Sequence, residues 1–343
     1  MARAWRQSRR EVLRGLVAAG GTGLTTGLGL AGCSASPAET GRIRIAHTLN
    51  TEHPVHKGLI VFADRLAEIS SGGMSVDIYP SAQLGTERQL IELCQIGSIA
   101  MTKVSTLSME GFSPPMQLFS IPYLFADEAH LWRVLESDIG RELLDGLMDV
   151  RLKGMAYYDA GSRSFYATEA PIRSPADLKG KKIRVLPSRV AIDMVAALGG
   201  SATPISFGEL YTALQQGIVD GAENNPPSYY LSKHFEIAPY YTLDEHTAVP
   251  DVIIMSKHVW DQLSGEQRSW VQQALDESVV AQRRFWAEDQ AAAIEAVEAA
   301  GSEVIRPDKA PFREAVAGMK ASFLKSPELG PLIRRVDAMA AAS

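Results

Sequence analysis

Cysteine is nearly absent from this 343-residue chain, where only Cys33 and Cys94 occur. A disulfide framework is thereby excluded, and the fold must rest on a hydrophobic core. A membrane-spanning run is missing as well. The apolar stretch over residues 15–30 is short and broken by Gly and Thr, below the roughly 20 residues a spanning helix needs. Basic residues do not dominate, with 34 Lys and Arg against 40 Asp and Glu. Signatures of catalysis are also lacking. No G-x-S-x-G occurs, and the spacing of His53 and His56 has no acidic or cysteine partner to complete a metal site. Cys94 lies in RQLIELCQIG at helical spacing from Leu90 and Ile91, the pattern of a buried structural thiol rather than a nucleophile.

The N-terminus carries an address. SRREVLR precedes the weakly apolar run, which ends in LAGC at residues 30–33. A charged segment, an apolar segment and small residues at a cleavage point describe an export signal over residues 1–33. The pair Arg9 and Arg10 points to the twin-arginine route. LAGC resembles the bacterial lipobox, which makes Cys33 the candidate for acylation, and residues 34–41 follow as a linker. Removing residues 1–32 takes away five arginines and one acid. The remainder holds 29 basic and 39 acidic residues, a net charge of −10. Such a chain does not suit nucleic acid or an anionic lipid surface. An acidic protein that binds an anion needs concentrated local positive charge.

Beyond residue 42 the pattern alternates between strand and helix. RIRIAHTL, SVDIYP, IAMTKVS and GMAYYDAG read as strands. Leu59, Phe62, Ala63, Leu66 and Ile69 mark a helical face, TERQLIELCQIG a second helix, and residues 127–149 a long helical piece. The rhythm restarts after Ala170 with KKIRVLP, RVAIDMVAALGG, FGELYTALQQG and IVDGAEN. Residues 248–256 then read as one buried strand. About 300 mature residues with two such rhythms imply an α/β protein of two lobes, each on a largely parallel sheet. Helix formers fill residues 265–300 almost without a break, about 50 Å of helix at 1.5 Å per residue. This is long enough to cross both lobes.

KGKKIRVLPS, at residues 179–188, poses the functional question. Alternation puts Arg184 on the face opposite Ile183 and Val185, while Lys179, Lys181 and Lys182 suit a solvated rim. YPSAQLGTERQLIE, FSIPYLF, DLKGKKIRV, ISFGELYTALQQGIVDGAEN and the long C-terminal helix resemble the solute-binding proteins of TRAP transporters, from about residue 42 to 330. The resemblance implies a two-lobed periplasmic binding protein fold, with hinge strands and a long helix spanning both lobes. It divides the chain into residues 42–161 with 248–290 as the first lobe, and 162–247 with 291–343 as the second. It also implies a monomer that carries a small organic acid to a membrane permease driven by an ion gradient, with no cofactor and no metal.

On this resemblance Arg184 pairs with the ligand carboxylate, and Arg163 of AGSRSFYAT is a second arginine of the pocket. A guanidinium offers a planar fork of donors and stays charged. Asn224 matches a position whose amide meets the carboxylate or a hydroxyl. Glu223 either braces Arg184 or accepts from a sugar hydroxyl, Ser162 offers a hydroxyl, and Phe207 is either a pocket wall or core. In the first lobe, His53 is either a ligand contact or a helix-start histidine, and Lys103 and Ser105 follow the third strand at a cleft edge. Some family members have an acid near Ser105, so this departure weakens the case for an amino-sugar acid such as sialic acid. Glu87 reads as a helix-start charge, and His246 as hinge or pocket. GAENNPPSYY with SKHFEIAPYYTLDEH looks closest to binders of sugar acids, especially hexuronates. C4-dicarboxylates are the alternative within the family, and a periplasmic sensor domain or a hydrolase or lyase the alternatives outside it.

Overall fold

Residues 41–340 are described by the structure, a computed structural model; the export segment, Cys33 and residues 34–40 lie outside the described residues. The chain enters at β1 (Arg42–Ala46), turns into α1 (Pro54–Ile69) and returns as β2 (Ser75–Tyr79), parallel to β1. Then α2 (Glu87–Gln95) leads to β3 (Met101–Ser105), parallel to β1 on its other edge. Local chemistry sets these borders. Pro54 opens α1 behind the N-cap His53, and Thr86 and Gln89 form a capping box at α2. After the short α3 (Thr106–Met109), the helical piece expected over 127–149 is two helices, α4 (Glu128–Glu136) and α5 (Asp138–Asp145). Ser137 divides them: it is extended, and its hydroxyl accepts from the Ile139 N–H, so a local cap replaces continuation.

From β4 (Leu152–Tyr158) the chain crosses through residues 159–161 to β5 (Ser162–Ala167) in a second sheet. There follow β6 (Lys182–Val185), α6 (Arg189–Ala197), β7 (Ser201–Pro204), α7 (Leu210–Gln215), β8 (Gly221–Asn224), α8 (Pro226–Leu231) and β9 (Tyr240–Ala248). The return crossing leads to β10 (Asp251–Ser256) in the first sheet. The strand expected over 248–256 is thus two pieces: Ala248 closes β9, residues 249–250 bridge the sheets, and only Asp251 onward joins β3 and β4. The chain ends with α9 (Lys257–Gln262), α10 (Gly265–Ala299), β11 (Glu303–Ile305), α11 (Ala310–Phe323) and α12 (Leu329–Ala340).

Both sheets are mixed rather than largely parallel. The first has the order β2-β1-β3-β10-β4, with β10 antiparallel to both neighbours. In the second, ordered β11-β9-β5-β8-β6-β7, β5 is antiparallel to both β8 and β9. The cause is the double crossing: a strand arriving from the other lobe inserts against the local direction.

The 35-residue α10 ties the lobes together. Val271, Ala274 and Leu275 join a core beneath the first sheet, and Val297 joins one beneath the second. Midway, its buried polar residues grip the crossing. Gln282 bonds both the N–H and the carbonyl of Asp159 at 2.8 Å, and Ser278 meets the Tyr158 hydroxyl at 2.7 Å. Gly161, at φ +57°, makes the turn where a Cβ would strike Trp286 and Gln290. α12 returns to the first lobe and buries Leu332, Ile333 and Val336 there.

Candidate functional site

The carboxyl ends of β3, β6 and β8 carry Ser105, the segment after Arg184, and Asn224 to a single place between the lobes, where open α/β sheets hold ligands. A cavity of about 40 Å³ is lined there by His53, Lys103, Ser105, Arg163, Arg184, Phe207 and Asn224. It shares Thr48, Glu87, Leu186 and Phe207 with a groove of about 300 Å³.

Arg184 is the unusual member. Its side chain is 0% exposed, whereas Lys179 and Lys182, the latter two residues earlier on the same face of β6, remain exposed. Nε donates to the Ile205 carbonyl at 2.8 Å, whereas Nη1 and Nη2 are buried without a partner. Burial pulls its pKa down to about 10, so it stays charged at neutral pH. A buried cation with two idle donors is expensive unless something arrives to meet them.

Arg163 is engaged instead of idle. Its Nε and Nη2 donate to the Glu223 carboxylate, the latter at 2.8 Å, and Nη1 donates to Asn224 Oδ1 at 2.9 Å. Burial would raise Glu223, but the adjacent Arg163 outweighs it and holds the carboxyl at about 2. Glu223 therefore braces Arg163, not Arg184, and is not among the cavity-lining residues. Asn224 Oδ1 also accepts from the Asn225 N–H. Its capacity toward a ligand is donation from the amide nitrogen.

His246 stands behind this pair. Nδ1 lies 2.8 Å from Asp244, and Nε2 is 3.6 Å from Glu223. Burial works against the charge, yet the Asp244 carboxylate prevails and raises the imidazole to about 9. With Ser162, His246 lines a different cavity of about 290 Å³ on the side of Tyr123, Asp127 and Arg313. Neither lines the cavity at Arg184: Ser162 departs from the expected place at the ligand, while His246 sits near the return crossing, in keeping with its hinge alternative. Ser162 neighbours Arg163 on β5, so alternation sends the two side chains to opposite faces.

On the first-lobe wall, His53 caps α1 through Nδ1 and bonds Ser228 of α8 through Nε2 at 3.2 Å. Burial, and next the charge of Lys103, hold it well below the usual histidine range. It is thus neutral, and its helix-start role and its place at the cavity are compatible. His56 pairs with His47 at 3.0 Å rather than with His53. Lys103 is buried between Asp251 at 3.0 Å and Glu87 at 3.6 Å. Ser105 caps α3 through Oγ. Phe207 is half-buried and lines both the cavity and the groove.

Asp251, Ser228, Asn225 and Thr48 are cavity residues that the sequence reading passes over, and Glu87 is one it discounts. Asp251 had a usable signal, a lone acid opening an otherwise apolar strand.

Comparison with known proteins agrees with this geometry. The sequence profile described as bacterial extracellular solute-binding protein, family 7, matches residues 45–326. The chain belongs to that family. A TRAP periplasmic solute-binding protein of Xanthobacter autotrophicus Py2, solved with bound β-D-galacturonate, is similar with 39% identity and a TM-score of 0.84, covering 86% of this chain and 99% of its own. One from Pseudomonas putida F1, solved with D-glucuronate, has 36% identity and a TM-score of 0.83, covering 87% and 97%. The 2,3-diketo-L-gulonate-binding periplasmic protein of Escherichia coli K12 is 30% identical over 312 residues, 90% of this chain and 95% of that protein. As a family 7 solute-binding protein, the chain is a binding component of a transport system and not an enzyme. Family 7 proteins work outside the cytoplasm. Among the described residues no helix is long and apolar enough to cross a membrane.

Proposed function

We propose that this protein captures a sugar acid, a hexuronate such as glucuronate or galacturonate, in the periplasm and delivers it to a TRAP membrane permease driven by an ion gradient. The single observation that carries this reading is Arg184, fully buried with two terminal nitrogens unpartnered. A carboxylate supplies the two acceptors such a fork requires. Each charged hydrogen bond contributes roughly 1.5–3 kcal/mol, and a micromolar site needs about 8 kcal/mol in total, so other contacts must share the task. Asn224, Arg163, His53 and Ser105 are the groups we assign to the remaining polar contacts, with Phe207 as a wall.

The lobes close on the ligand, favoured by its greater affinity for the closed state. On this reading, acylation of Cys33 holds the mature protein, a monomer, at the membrane.

Thermal unfolding with added ligands tests the assignment. Glucuronate or galacturonate at 100 times its Kd raises stability by about 2.7 kcal/mol, seen as a higher Tm. No shift with either, and a large one with succinate or malate, would sink the hexuronate reading in favour of C4-dicarboxylates.

A further inference from the structure

The two walls of the cavity differ in charge. The second-lobe wall holds Arg163, charge-paired with Glu223, and Arg184, which forms no ion pair among the described residues. The opposing first-lobe wall holds one ammonium, Lys103, shared by two carboxylates, Asp251 at 3.0 Å and Glu87 at 3.6 Å. Lys103 is 2% and Asp251 6% exposed, and both side chains, with Glu87, line the cavity. Burial raises Asp251 above the usual carboxylate range and Lys103 draws it back, so its charge depends on that ammonium. Both oxygens of Glu87 have further partners: Oε1, the one facing Lys103, also accepts from the Ser105 N–H, and Oε2 accepts from the Ser108 hydroxyl. One wall thus carries an uncompensated positive charge and the other an excess of acid.

Resting on the hexuronate reading, we propose that Glu87, Lys103 and Asp251 form a charge filter that restricts the site to acids with one carboxylate and turns away those with two. A sugar acid seated with its carboxylate on Arg184 points its far end at this triad. Hydroxyl groups there donate to the carboxylates and accept from Lys103. A second carboxylate has nothing to donate and meets two largely buried like charges, whose repulsion is less screened than at an open surface. Rejection of the wrong ligand is achieved by a built-in repulsive element. The filter acts within the organic acids: aldarates and C4-dicarboxylates are excluded, and hexuronates pass.

Titration calorimetry with D-galacturonate and with galactarate, in which the far carbon is oxidised to a second carboxylate, tests the filter. The wild-type protein is expected to prefer galacturonate by at least about 100-fold. Glu87→Gln removes one charge and keeps the shape. Asp251→Asn does the same and leaves Lys103 with less acid to neutralise. Each is expected to narrow the preference by at least about tenfold, and reading the ratio cancels any general loss of affinity or effect of ring form. Asp251 is the more buried, so thermal unfolding verifies its fold, and Glu87→Gln alone decides if Asp251→Asn does not fold. Comparable binding of the two acids by wild-type protein, or a ratio unmoved in the folded variants, would overturn the filter while leaving the hexuronate reading intact. Failure of galacturonate and glucuronate alike to bind would remove that reading and the filter with it.

Discussion

Arg184 is maintained against its own cost. Its guanidinium is fully buried and only Nε has a protein partner, so the empty protein carries an uncompensated charge. Arg184→Ala is expected to weaken hexuronate binding at least tenfold, about 1.4 kcal/mol or more. Without ligand, its Tm should equal or exceed that of the wild type. Calorimetry and thermal unfolding on one preparation check both halves, and a fall in unliganded Tm would contradict the account. Arg184→Lys should not restore affinity, because a point-like ammonium cannot fork onto a carboxylate. His246 behaves in the opposite sense, since its charge is compensated by Asp244. Its native pKa of about 9 lies above the ordinary 6.5. The stability it contributes is therefore complete below about pH 6.5 and is lost as pH rises through 9. Thermal unfolding from pH 6 to 10 should show a decline in the wild type that is flattened in His246→Gln.

Among the elements, α1 and α10 define the frame on which the crossings turn. Their contact is close because Gly58 of α1 faces α10: a Cβ there would come within 2.7 Å of the Gln282 Cβ and 3.2 Å of the Tyr158 ring. Gly58→Ala should cost about 1–3 kcal/mol as an overpacked interface, measured by urea unfolding, although alanine is the better helix former. It should also disturb the Gln282 grip on Asp159, the point where the first strand crossing begins. Helix α10 was legible in the sequence because helix formers run unbroken from the Ser264 capping box onward. β5 and β9 were not. Their sequences carry Arg163, Asp244 and His246, ionisable groups that local patterns assign to surfaces, and only pairing across the sheet makes these positions interior.

For the whole molecule, function depends on contacts that join the lobes. His53 reaches Ser228, and Asn50 reaches the Leu231 carbonyl at 2.9 Å, each across the cleft. Neutral hydrogen bonds of this kind contribute about 1 kcal/mol each, small enough to break when the lobes part and re-form when a ligand bridges them. Saturating galacturonate is expected to contract the wild-type protein in small-angle scattering and to leave Arg184→Ala unchanged. An equal contraction in the variant would show that closure does not depend on the buried guanidinium.

The sequence by itself determined the alternation of strand and helix, the long helix and the family, because each is written in neighbouring residues: period-two and helical spacing, caps, and contiguous motifs. Tertiary structure alone decided that Glu223 belongs to Arg163, that Ser162 and His246 face another cavity, and that Asp251, Glu87 and Lys103 oppose Arg184 across the cleft. Those relations join residues 60 to 97 positions apart. Charge pairing in a closed interior depends on distance in space, which no local pattern encodes.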